Sequence, residues 1–221
     1  MSIQPSDFTR NEPSSVPQTR HQLGILVLEG SGSMNEPIEG KRTKAQIVDQ
    51  AVKDLLNQLI MSKNNQDFSI SLVSFDEHCR VHTFPTRVTD KKGRKIEADA
   101  DYDPTQGHGG GSDIAQALKE AHVLAEEFLS GAKAKEVPHS VVIVLMSNGV
   151  SQTDPLPVAN YIKENPNITL CSSLFTSKEE THPAIDQARD ILEQIATSPE
   201  HYVEVHDGEA LKDFFIDSVT R

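Results

Sequence analysis

Two six-residue apolar runs constrain this chain more than anything else in it: Leu23-Gly24-Ile25-Leu26-Val27-Leu28 and Val141-Val142-Ile143-Val144-Leu145-Met146. Successive side chains of a β-strand point to opposite sides, so a strand without alternation must be covered on both faces. That requirement is met in a parallel sheet wrapped by helices. Each run also stops abruptly in small polar residues, Glu29-Gly30-Ser31-Gly32-Ser33 after the first and Ser147-Asn148-Gly149 after the second.

The rest of the chain alternates in kind. Ala45, Val48, Val52, Leu55, Leu56 and Leu59 recur at spacings of three and four, which predicts a helix over 43–60. Further helices are expected over 114–129, 155–163, 183–196 and 209–219. Strands are expected over 68–75, 168–174 and 202–205, and a short antiparallel edge strand over 79–84. Strand and helix in alternation predict an α/β fold, doubly wound and Rossmann-like: a mostly parallel six-stranded sheet with one antiparallel edge strand and helices on both faces. Residues 85–111 read as polar and irregular, with a small hairpin around Lys92-Gly93-Arg94. Residues 1–21, rich in Ser, Pro, Gln and Thr, read as a flexible lead-in, and residues 22–221 as one domain.

Composition narrows the function classes. A chain of 221 residues supports one sizeable core, and its formal charge of −12 opposes nucleic acid or an anionic membrane as the main partner. Cys79 and Cys171 lie far apart in or beside apolar strands and read as small buried thiols. The first twenty residues lack the apolar stretch of a secretory signal, so the expectation is cytoplasmic.

In doubly wound sheets ligands bind beyond the carboxyl ends of the strands, where strand order reverses. The polar ends of the two apolar runs fall there. A third polar stretch, Gly109-Gly110-Gly111-Ser112-Asp113, opens a helix. Together these stretches offer hydroxyls, a carboxylate and an amide oxygen, hard donors suited to Mg²⁺, Mn²⁺ or Ca²⁺ and poorly suited to zinc.

On these residues the chain resembles a von Willebrand factor A domain over roughly 22–220. That family carries a metal-ion-dependent adhesion site written Asp-x-Ser-x-Ser, then Thr, then Asp. The first element is matched by Glu29-Gly30-Ser31-Gly32-Ser33, the Thr by Ser112, and the last Asp by Asn148. The resemblance implies Glu29, Ser31, Ser33, Ser112 and Asn148 as a degenerate metal site. It also implies a partner protein docking over Ser31, Ser33, Met34, His108, Ser112, Asp113 and Gly149. Both acidic positions have changed, so their formal charge falls from −2 to −1, and Glu29 is one methylene longer, about 1.5 Å if extended. Two outcomes stay open: a bound divalent ion, or a site closed by internal hydrogen bonds or water.

Other motifs fail on spacing. Gly30-Ser31-Gly32-Ser33-Met34-Asn35 lacks the third glycine of a dinucleotide fingerprint. Gly40-Lys41-Arg42-Thr43 has no glycine at the distance a phosphate loop needs. His108-Gly109-Gly110-Gly111 resembles an esterase oxyanion loop without a nucleophile elbow to serve. Asp99-Ala100-Asp101-Tyr102-Asp103 begins like a calcium loop, but Pro104 stands where glycine is required. The expectation is a non-catalytic protein-interaction module within an intracellular multiprotein assembly, such as a signalling or stress-response one, without nucleic acid, membrane or small-molecule substrate. The competitors are a metal-independent structural subunit and a Mg²⁺- or Mn²⁺-dependent hydrolase, for which Glu29 and Asp113 are the candidate bases.

Overall fold

The structure, a computed structural model, describes residues 20–90, 110–132, 137–149, 151–178 and 182–221. The lead-in up to residue 19, the hairpin expected at Lys92-Gly93-Arg94, the acidic loop at Asp99–Asp103 and His108 lie outside the described residues.

Six strands form the main sheet: β1 (His21–Glu29), β4 (Phe68–Phe75), β5 (Cys79–Arg87), β6 (His139–Ser147), β7 (Ile168–Phe175) and β8 (Tyr202–Val205), in the order β5-β4-β1-β6-β7-β8. Every pair is parallel except β4 with β5. The two apolar runs are therefore central neighbours, with Leu23 opposite Val141 and Leu28 opposite Met146. Strand order reverses at β1, whose two neighbours come later in the chain on either side. The architecture expected from alternation is the one observed.

Five helices cover the faces: α1 (Lys44–Met61), α2 (Ile114–Ala132), α3 (Leu156–Lys163), α4 (Pro183–Ile195) and α5 (Gly208–Thr220). The strand period of two sorts the core into halves. Leu26, Leu28, Val144 and Met146 pack with Val52, Leu56 and Phe215 under α1 and α5. Leu23, Ile25, Val27, Ile143 and Leu145 pack with Leu118, Ile162 and Leu192 under α2, α3 and α4. Burying one such side chain contributes about 1.5–3 kcal/mol, so both faces of β1 and β6 hold the fold together. Among the described residues no helix is long and apolar enough to cross a membrane.

Local chemistry fixes where the helices begin. Thr43 and Gln46 form a reciprocal capping box at α1, and Asp207 accepts from the Ala210 N–H at 2.9 Å at the start of α5. Pro183 opens α4 at a position where its missing N–H costs nothing.

Two details depart from expectation. The stretch around Pro37 and Gly40, where no strand is expected above, forms a small antiparallel hairpin of β2 (Pro37–Glu39) and β3 (Arg42–Thr43). β5 continues beyond Phe84 through Pro85 to Arg87. It is an edge strand, so proline's absent donor disrupts no second ladder.

Candidate functional site

The carboxyl ends of β1 and β6 meet at one carboxylate. Glu29 closes β1 and is 2% exposed. Its Oε1 accepts from Ser31 Oγ at 2.6 Å. Its Oε2 accepts from Ser147 Oγ at 2.5 Å and from the Asn148 backbone N–H at 2.9 Å. The extra methylene thus carries the carboxylate sideways to the end of β6 rather than outward. Three donors on two oxygens make Glu29 a cross-strand anchor.

A hydroxyl chain leads away from that anchor. Ser31 Oγ lies 2.8 Å from Ser33 Oγ, and the Asn148 Nδ2 donates to Ser33 Oγ at 2.9 Å. Each serine has one proton. Ser31 gives its proton to Glu29, so Ser33 is the donor in the serine pair. Ser33 faces a second acceptor, Asn148 Oδ1, at 3.2 Å, and the shorter contact sets the preferred direction. A continuous run of hydrogen bonds thus links Asn148 through Ser33 and Ser31 to Glu29.

Ser112 arrives from a third direction. The Asp113 N–H donates to Asp76 O at 2.8 Å, just beyond β4, and the Gln152 N–H donates to Ser112 O at 2.7 Å, just beyond β6. β4 and β6 flank β1, so this segment is tied down over the end of β1. The Gly30 N–H, bonded to Phe75 O at 2.7 Å, extends the β1–β4 ladder beneath it. Gly110 sits at φ +108°, a backbone conformation that favours glycine, and a Cβ on Gly111 would push aside the exposed Gln152 side chain. The Ser112 side chain is left distinctive: 5% exposed, with an Oγ that has no hydrogen-bond partner among the described residues.

The structure therefore brings Glu29, Ser31, Ser33 and Asn148 into one network, and ties Ser112 between the segments that flank it. Asp113 has another job. Its Oδ1 accepts from the Gln116 N–H at 3.0 Å and from Thr153 Oγ1 at 2.6 Å, which caps α2. Gly149 is half-buried beside the network.

Met34 is a correction. It was expected on the partner-facing surface, but it is 0% exposed and lies in the core under α1 and α5. The 3₁₀ turn over Gly32–Asn35 rolls its side chain inward, where its sulfur receives the Asn148 amide at 3.5 Å. Ser147 and Asp76 were not foreseen as site residues. Ser147 was visible as the polar residue ending an apolar strand. Asp76, 3% exposed, follows β4 in the same way, and its Oδ1 accepts from the His78 N–H.

The donors fit a hard cation in kind and spacing. The 2.8 Å between Ser31 and Ser33 oxygens matches two adjacent ligands of an octahedral ion with bonds of about 2.1 Å. The unpartnered Ser112 hydroxyl is a further neutral donor. Charge is the weak point, since Glu29 is the one carboxylate in the network. No cluster of three or more His, Cys, Asp or Glu with metal-binding geometry occurs among the described residues.

Acidic side chains gather near this edge. Glu77 lies beside Gly110, within 3.1–3.3 Å of where a Cβ would stand. The Cys79 thiol is pushed up to about 12, first by burial, then by Glu120, with Asp113 and Asp76 adding to it.

Comparisons with known proteins agree with this geometry. The sequence profile of the von Willebrand factor type A domain matches residues 25–216. The pilus adhesin SpaC of Lactobacillus rhamnosus GG superposes with a TM-score of 0.72 at 12% identity, over 92% of this chain and 30% of that one. A von Willebrand factor type A protein from Catenulispora acidiphila gives 0.64 at 17% identity, over 89% and 41%. Proximal thread matrix protein 1 of the mussel byssus, solved with zinc in its MIDAS motif, gives 0.63 at 20% identity, over 91% and 48%. At such identities the likeness is one of fold, and this chain spans less than half the length of each. No curated protein sequence matches. The profile covers most of the chain: the chain belongs to the von Willebrand factor type A domain family.

Proposed function

We propose that this chain is a non-catalytic protein-interaction module, docking a partner protein over the carboxyl ends of β1 and β6 within an intracellular multiprotein assembly. The observation that carries this reading is the Ser112 hydroxyl, buried on a segment tied to the ends of the flanking strands yet without a hydrogen-bond partner among the described residues. Leaving such a group unsatisfied costs about 1–3 kcal/mol, and a docking partner that supplies the missing contact recovers it. Family membership and the adhesive role named for SpaC support interaction rather than turnover. So does the chemistry. Both Glu29 oxygens are engaged by protein donors, and Asp113 is engaged as a helix cap, which leaves neither as a ready general base. The free thiols of Cys79 and Cys171 support a reducing compartment.

A divalent cation would be held by Ser31, Ser33 and Ser112, with Glu29 and Asn148 behind them. It would supply an open coordination position for a partner's oxygen. Affinity purification of the full chain from its native cells, wild type against Ser31→Ala/Ser33→Ala, tests the docking reading. The expected outcome is loss of the specifically retained protein in the double variant. Undiminished recovery makes the chain a structural subunit whose contacts lie elsewhere. Turnover of phosphate or carboxylic esters with Mn²⁺, abolished by Ser33→Ala, would instead make it a hydrolase.

A further inference from the structure

We infer that the Asn148 amide and the Ser147 hydroxyl do at this edge the structural work of a divalent ion, so that the edge meets its partner directly, without a metal between them. The inference rests on the docking reading and deepens it.

The Glu29 carboxylate, buried at the end of β1, is where an ion's positive charge would be needed most. Protein donors stand there instead: Ser31 Oγ on Oε1, and Ser147 Oγ and the Asn148 N–H on Oε2. Hydrogen bonds to a charged acceptor are the strong ones. Two of the three come from the end of β6, so the chain itself joins its two central strands here.

Asn148 reaches further. Its Nδ2 donates to Ser33 Oγ at 2.9 Å and to the buried Met34 sulfur at 3.5 Å, which uses both amide protons. Ser33 Oγ also meets Ser31 Oγ at 2.8 Å and Asn148 Oδ1 at 3.2 Å. A hydroxyl has one proton and two lone pairs, so these contacts fill its capacity. An ionised aspartate at this position would have no proton to give and would leave a Ser33 lone pair open. To be held by Ser33, an ion must displace the amide, and it would find one carboxylate in the network where affinity follows ligand charge.

The surrounding loops are pinned by the chain as well. The Gly30 N–H is bonded to Phe75 O, the Asp113 N–H to Asp76 O and the Gln152 N–H to Ser112 O, while the Ile114 N–H donates to Ser151 Oγ at 3.1 Å. Shape at this edge comes from protein donors.

The test uses Mn²⁺ as a paramagnetic probe of the isotope-labelled full chain. In the wild type the amides of Ser31, Ser33 and Asn148 are expected to keep their line widths at substoichiometric Mn²⁺. In Asn148→Asp they should broaden, with Mn²⁺ held about tenfold more tightly. Broadening centred on these amides in the wild type overturns the inference, whether or not the variant folds. Affinity purification from native cells, in chelator and then in Mg²⁺, gives the second arm. The same protein retained in both conditions, and lost with Ser31→Ala/Ser33→Ala, supports the inference. Retention in Mg²⁺ alone overturns it and leaves the docking reading standing. Retention that ignores the two serines in both conditions removes the docking reading, and the line widths then decide the role of Asn148 by themselves.

Discussion

At their amino ends β1 and β6 run into packed rings. The His21 ring lies 5.3 Å from Phe128 and 5.1 Å from His139, and Phe128 lies 5.3 Å from His139. His21 Nε2 pairs with Ser69 Oγ at 3.0 Å. At their carboxyl ends the same two strands run into Glu29, Ser31, Ser33 and Asn148, with Ser112 above them. Among the described residues each end leaves a buried polar atom without a partner, His139 Nε2 at one and Ser112 Oγ at the other. The difference lies in what surrounds it. Around His139 the neighbours are rings, and that end is held by side-chain volume. At the carboxyl end they are short polar side chains joined by hydrogen bonds.

The largest effect should come from removing the anchor of the carboxyl end. Glu29→Ala removes the acceptor that the Ser31 and Ser147 hydroxyls and the Asn148 N–H share, and should destabilise the fold by about 3 kcal/mol or more in urea unfolding. A loss under about 1 kcal/mol would mean that the network decorates this end without shaping it. At the amino end, Phe128→Ala should cost about 2 kcal/mol through lost ring packing while leaving partner recovery intact. Partner loss there would erase the functional contrast between the two ends.

Restoring charge sharpens the comparison. Glu29→Asp combined with Asn148→Asp should raise Mg²⁺ or Mn²⁺ affinity by about tenfold or more in calorimetry, because affinity follows ligand charge. Zinc belongs in the same titration, since the byssus protein holds it in its MIDAS motif. No gain would show that loop geometry, and not charge, governs metal at this edge.

Ser112→Ala removes a hydroxyl with no hydrogen-bond partner among the described residues, so stability should change by no more than about 0.5 kcal/mol while partner recovery falls. A marked loss of stability would mean that this hydroxyl serves the fold after all. The smallest effect concerns Cys79. Its raised pKa means that the folded state favours the neutral thiol, so stability is lost as pH climbs above the ordinary thiol range. Asp113→Asn keeps the helix cap but removes one of the carboxylates that raise it. Alkylation of Cys79 at pH 9, followed by peptide mass spectrometry, should quicken by about twofold. An unchanged rate would leave burial as the whole cause.

Much of this was legible in the residues. The two apolar runs predicted central parallel strands, and the helical spacings predicted the covering elements to within a few residues. The polar endings of the two runs do meet at one edge of the sheet. Met34 was misread because one residue among Gly, Ser and Asn looks exposed in sequence, whereas a 3₁₀ turn decides which way it points. Ser147 and Asp76 were passed over for the opposite reason: each looked like the mere end of a strand.

Periodicity and the alternation of strand and helix determined the layered architecture, because burying apolar side chains on both faces of β1 and β6 leaves few other arrangements. Residue identity also determined that the network closing β1 and β6 would be rich in hydroxyls, with Glu29 as its carboxylate. Only the tertiary structure decided how that chemistry is used. Whether Glu29 reaches outward or sideways depends on Ser147 and Asn148, more than a hundred residues away, and hydrogen bonds are directional contacts that no local pattern encodes.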